Sequence, residues 1–216
     1  MIRSFGLDEF LFLLQSFGWT LVLSGLAFVC GAIGGLAIAL LRTAPYAPLR
    51  ALAAGYIIIF QGTPLLMQLF VIYYGVALLA IDVNAWLALS IGLMLHASAY
   101  LGEIWRGVIF AVPKGQEEAA KALGLKYWNR TFYVILPQAM RMALPSTVGF
   151  LVQLIKGTSL AAIIGFTEVT RAGQIISNAT YQPLLVFGLV GALYFALCWP
   201  LSLYSVRLEK RFATGR

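Results

Sequence analysis

Charge is what this sequence has least of. Only 11% of its 216 residues are charged, against about 25% in ordinary soluble domains, so the chain cannot clothe a water-facing globule. Metal-ligating side chains are equally scarce: one histidine and two cysteines form no Cys/His cluster of zinc-ligand spacing. Cys30 and Cys198 both fall inside hydrophobic stretches, which argues against a disulfide framework. Also missing are a Gly-x4-Gly-Lys-Ser/Thr phosphate loop, a nucleophile elbow, a His-Glu-x-x-His helix and a paired-carboxylate site. The chain is therefore expected to catalyse nothing alone, to hold no metal and to bind no cofactor of its own. Energy for any work it does comes from a gradient or from another subunit.

What fills the chain instead is apolar. Hydrophobic residues make up 61% of it, mean hydropathy is +0.89, and uncharged stretches of the roughly 20 residues that cross a bilayer recur along its length. The pattern predicts an all-α polytopic membrane protein, a single domain with five transmembrane helices near residues 17–41, 51–80, 85–110, 145–164 and 183–206. Residues ahead of the first span are predicted to form a short interfacial segment, because Asp8, Glu9 and the long uncharged run that follows do not fit a signal peptide. The net charge of +7 does not point to nucleic acid, because the basic residues cluster between and after the apolar runs. Placing the N-terminus outside and the C-terminus in the cytoplasm puts Arg42, Arg50, Lys114, Lys121, Lys126, Arg130, Arg141 and the C-terminal cluster inside, leaving Arg3 and Arg171 outside.

Several spans carry residues that lipid would not favour. Gln61-Gly62-Thr63-Pro64 interrupts the second, either as a plain kink or as exposed backbone lining a cavity. His96, Tyr100, Glu103 and Gly107 fall on one face of the third. They either line a cavity or make packing hydrogen bonds, with an i,i+3 ion pair to Arg106 open to Glu103. Lys156 sits inside the fourth span, where a lysine costs about 2.5–3.5 kcal/mol at mid-membrane. It either snorkels, pairs with a carboxylate, or faces a cavity. Thr63, His96, Tyr100, Gly157, Thr158 and Ser159 are the candidates for a substrate pathway, with Glu103, Arg106 and Lys156 as intramembrane charges. Residues 166–182, with Glu168 and Arg171, are predicted to be external and to form a short gate-like segment.

The hydrophilic island at 113–141 differs from everything around it. Pro113 suits an early helical position, Glu117 can pair with Lys121, and Gly124 can end the helix in the left-handed conformation. Ala119, Ala120 and Leu123 give one face little bulk, as a docking surface requires. A second amphipathic run follows, with Trp128, Phe132, Ile135 and Leu136, and Pro137 is expected to interrupt it.

Glu118-Ala119-Ala120, three residues, Gly124, and then Val134-x-Leu136-Pro137 resemble the EAA loop of permease subunits of ATP-binding cassette importers. The segments QGTPLLMQLFVIYYG, AYLGEIWRG and AVPKGQEEAAKALGL are similar to the polar amino-acid branch of that family, which usually has arginine where Gln61 stands and aspartate where Gly157 stands. The resemblance implies a multi-pass subunit of the bacterial inner membrane. Its Glu118, Ala119, Ala120, Gly124, Leu136 and Pro137 would couple it to a separate ATPase that holds ATP and Mg. A second permease subunit, identical or paralogous, and an extracytoplasmic solute-binding protein are the other implied partners, with the lipid bilayer around them. The residues alone leave a different mechanism open, a gradient-driven carrier or channel subunit using Glu103, His96 and Lys156. Without the aspartate at 157, neutral, acidic or zwitterionic ligands are favoured over basic ones.

Overall fold

A computed structural model of the chain describes residues 4–78 and 83–213. Arg3, the last two residues of the second predicted span and Asp82 lie outside the described residues. Within them every regular element is helical: α1 (Leu7–Thr43), α2 (Ala47–Gly62), α3 (Leu65–Leu78), α4 (Ala85–Ala111), α5 (Lys114–Ala122), α6 (Tyr127–Arg130), α7 (Leu136–Gly157), α8 (Val169–Thr180) and α9 (Pro183–Ala213). A π-helical turn, Thr131–Ile135, joins α6 to α7, and a 3-10 segment, Thr158–Ile164, continues α7. Among the described residues four helical stretches are long and apolar enough to cross a membrane, five if the bent pair α2 and α3 is one span.

Close packing of α1 on α4 forms the centre of the bundle. A Cβ added at Gly35 would stand 2.9 Å from Leu101 Cβ, and one at Gly102 would stand 2.7 Å from Ile38 Cγ2. The glycines let two backbones approach where lipid supplies no hydrophobic drive between helices, so dispersion and close fit carry the contact. Leu23, Ala27, Ala39, Leu93, Ala97 and Leu101 complete this seam. A second cluster, with Leu13, Val169, Ala172, Ile176, Val186 and Val190, packs α8 between the first half of α1 and α9.

Three local readings change. The first helix begins at Leu7 rather than as a separate interfacial piece, and the Glu9 side chain caps it by accepting from the Gly6 N–H at 2.9 Å. Pro137 does not break the second amphipathic run: α6, the π turn and α7 form one helical stretch, Tyr127–Ile164. The physical reason is the wider turn just ahead of it, where the Leu136 N–H reaches back to Thr131 O, leaving Pro137 in the first turn of α7, where its missing N–H costs least. Helix also extends well ahead of Pro145, which sits inside α7. The hydroxyl of Ser205 on α9 donates to the Pro145 carbonyl at 2.7 Å.

Candidate functional site

Two regions hold the residues singled out above. The first is the break between α2 and α3, which bend by 103°. Thr63 and Pro64 are exposed at the corner, as are Gln61 and Gly62. A helix broken at this depth frees carbonyl groups that lipid cannot satisfy. Gln68 satisfies them, its Nε2 donating to Phe60 O at 2.6 Å and to Thr63 O at 2.9 Å. Its Oε1 lies 3.0 Å from His96 Nδ1, and because an amide oxygen only accepts, the Nδ1 of His96 carries the proton. Sequence reasoning missed Gln68, although it is the lone amide in the apolar run of α3.

His96 stands at the head of an aromatic file on the same side of the bundle. Its ring lies 4.5 Å from that of Tyr100, which stacks on Phe150 of α7 at 5.6 Å. Glu103 is further along α4 and does not join this file. It accepts from Arg106 Nε at 2.8 Å and from a second guanidinium nitrogen at 2.5 Å, a closed bidentate pair. On α7, Lys156 is exposed and pairs with no carboxylate among the described residues. Gly157 beside it abuts α3: a Cβ there would stand 3.0 Å from Leu65 Cδ2, so an aspartate would press on the first turn after the break. Thr158 is fully buried with its hydroxyl on Ile155 O at 2.6 Å. Ser159 is half-buried and donates to Lys156 O at 2.7 Å. Thr63 is thus open at the bend, Gly157 abuts α3 and Lys156 is exposed on α7, while Thr158 is turned into the packing.

The second region is the hydrophilic island. Gly124 has φ +74° and ends α5 with a Schellman arrangement, its N–H on Lys121 O at 2.9 Å and that of Leu125 on Ala120 O at 3.1 Å. Ala120 is 3% exposed and faces the bundle, whereas Leu123 is 80% exposed and Glu118 and Ala119 are open beside it. The small-residue face therefore splits, one alanine seating the helix and the other left outward with Leu123. Glu117 bridges Lys121 at 2.9 Å and Arg130 at 3.3 Å. Its hydrogen bond to Lys121, aided by the charges of Lys121 and Arg130, holds its carboxyl below the usual carboxylate range despite partial desolvation. Leu136 and Pro137 follow at the start of α7, Leu136 half-buried and Pro137 exposed.

Residues 31–213 match the family described as binding-protein-dependent transport system inner membrane component, and this chain belongs to that family. It is a multi-pass inner-membrane permease subunit, the noncatalytic part of a transport system that also comprises an ATPase and a solute-binding protein. Among its relatives, the probable amino-acid ABC transporter permease protein YckA of Bacillus subtilis is 37% identical over 207 residues, covering 96% of this chain and 92% of YckA. The glutamine transport system permease protein GlnP of Escherichia coli is 35% identical over 189 residues, covering 85% and 86%. A crystal structure of an amino acid ABC transporter with histidines superposes with a TM-score of 0.87 at 33% identity, over 94% of this chain and 95% of that one.

Proposed function

We propose that this chain is the transmembrane subunit of an ATP-driven importer that moves polar amino acids or related small zwitterions into the cytoplasm. The observation that carries the reading is the exposed polar group at the α2–α3 bend. Gln61 and Thr63 stand open on the flank of a single chain, where lipid would penalise them, and Lys156 is exposed on α7. A second permease subunit covering that flank turns it into the wall of a pathway, with His96 and Tyr100 behind it. The N-terminus is outside, the C-terminus is in the cytoplasm, and α5 docks on the ATPase through Glu118, Ala119 and Leu123. ATP and Mg belong to that partner. The gradient-driven alternative has less to stand on, because Glu103 is closed on Arg106 and is not free to relay ions.

The similarity to amino-acid permeases supports the substrate class, and the pathway residues narrow it. Lys156 offers an unopposed positive charge beside a glycine, which suits a ligand carboxylate better than a basic side chain. Uptake by the complete complex of a panel of labelled amino acids tests this: neutral, acidic or zwitterionic members are carried, and strict preference for arginine or lysine would overturn the substrate assignment. Gly124→Asp tests the coupling. An L-residue at φ +74° is strained, the α5 cap is lost, and uptake is expected to collapse while the ATPase subunits still hydrolyse ATP. Wild-type uptake in that variant would sink the coupling role of α5.

A further inference from the structure

We propose that Tyr127 is a positioning residue that ties the coupling segment to α1, so that movement of α5 is delivered to two parts of the bundle together. The inference rests on the coupling role of α5 proposed above. One route from α5 is axial: the helical stretch from Tyr127 to Ile164 leads directly to Lys156 and Ser159. His96 and Tyr100, however, ride on α4. The connection from α4 to α5 is two residues of extended backbone, Val112 (φ −62°, ψ 131°) and Pro113 (φ −55°, ψ 131°), a joint that bends before it transmits a push.

A second link bridges this gap. The Tyr127 hydroxyl donates to Thr43 O at 3.1 Å. Thr43 is the last residue of α1, and the final carbonyls of a helix have no partner within it. Tyr127 is itself fixed: the Arg130 guanidinium lies over its ring at 5.7 Å and reaches Glu117 of α5 at 3.3 Å. The chain of contacts Glu117, Arg130, Tyr127 and the Thr43 carbonyl thus runs from the middle of α5 to the end of α1. From there the glycine seam carries movement into α4. Little else joins them on this side, because a cavity of about 350 Å³ bordered by Thr43, Phe110, Glu117, Tyr127 and Arg130 separates α5 from the ends of α1 and α4. A thin link over a void is where one hydroxyl can decide whether the pathway walls move together.

Tyr127→Phe removes the hydroxyl and keeps the ring under Arg130. The complex with its ATPase and binding protein, reconstituted in proteoliposomes and given a mixture of radiolabelled L-amino acids, is scored for uptake per ATP hydrolysed. The ratio is expected to fall about threefold to tenfold, the range spanned by loss of one hydrogen bond, while hydrolysis continues. Arg130→Gln should lower the same ratio, and Tyr127→Phe with Arg130→Gln should be no worse than the more severe single change, because both cut one chain. A wild-type ratio in Tyr127→Phe overturns the proposal. So does an equal loss of uptake and hydrolysis, which is what a merely structural tyrosine would give. Gly124→Asp assayed alongside separates the two ideas: if it is uncoupled and Tyr127→Phe is not, only the Tyr127 link fails, whereas a wild-type ratio in both removes the coupling role of α5 itself.

Discussion

At the scale of single residues, Gln68 holds more of the α2–α3 corner together than any of the residues chosen for their position. It closes two carbonyls freed by the break and orients His96 with its remaining oxygen. Gln68→Leu keeps the volume and removes all three contacts. Each buried acceptor left without a donor costs about 1–3 kcal/mol, so the variant is expected to unfold at a distinctly lower temperature in detergent and to lose uptake as the corner relaxes. An unchanged melting temperature would mean that water, not Gln68, satisfies the corner. The amide was visible in the sequence as the one amide side chain in an apolar run. Its role was not, because it depends on a 103° bend that folds α3 back toward the end of α2. Thr63 and Pro64 announced a break without giving its angle. Thr158 shows the converse, since its polarity and its place beside Lys156 made it a candidate while the tightening into a 3-10 segment turned its hydroxyl onto its own helix.

Among the elements, the long apolar helices, the short hydrophilic α5 and its glycine end were legible because each rests on local chemistry: periodicity, charge and a left-handed cap. Pro137 misled for the same reason. A proline normally ends a helix, and nothing in the letters around it spells a π turn that absorbs it. Glu168, which the sequence placed only in a short segment between spans, has a role that depends on contacts distant in the chain. It is 0% exposed, caps α8 by accepting from the Arg171 N–H at 2.9 Å, and accepts from Tyr194 of α9 at 3.0 Å and from Thr20 of α1 at 3.4 Å. One carboxylate therefore holds three elements at one point. Glu168→Ala should destabilise by several kcal/mol, the sum of a lost cap at about 1 kcal/mol and of buried hydroxyls left unpaired. Glu168→Gln retains an acceptor and should cost visibly less; equal loss in both would point to charge rather than to the hydrogen bonds. The α1–α4 seam makes a companion prediction. Gly102→Val puts three carbons where a single Cβ already meets Ile38, and overpacking of this kind costs about 1–3 kcal/mol, readable as a lower melting temperature and poorer assembly with the ATPase.

For the whole molecule, the contacts gather the charge pattern at two poles. Tyr127 meets the end of α1, Arg50 donates to Ala44 O and Pro45 O in the α1–α2 loop, and Ser205 of α9 meets the early part of α7. The ends carrying Arg42, Arg50, Lys121, Arg130 and Arg207 therefore gather at one pole. Arg171 lies on α8, which packs against the opposite, N-terminal half of α1 through Leu13. Aromatic side chains mark that same pole, with Trp19 meeting Trp86 and Phe166 edge-on and Trp86 tilted against Phe166, as expected of rings at the level of lipid headgroups. The basic pole should then face the cytoplasm. Single cysteines test this in a background with Cys30 and Cys198 changed to Ala. Tyr46→Cys, exposed in the α1–α2 loop, and Asn178→Cys, exposed on α8, stand at opposite poles. A membrane-impermeant maleimide applied to intact spheroplasts should label Asn178→Cys at once and Tyr46→Cys only after lysis. The reverse pattern would put α5 outside the cell, out of reach of any cytoplasmic ATPase, and would undo the transport mechanism together with the topology.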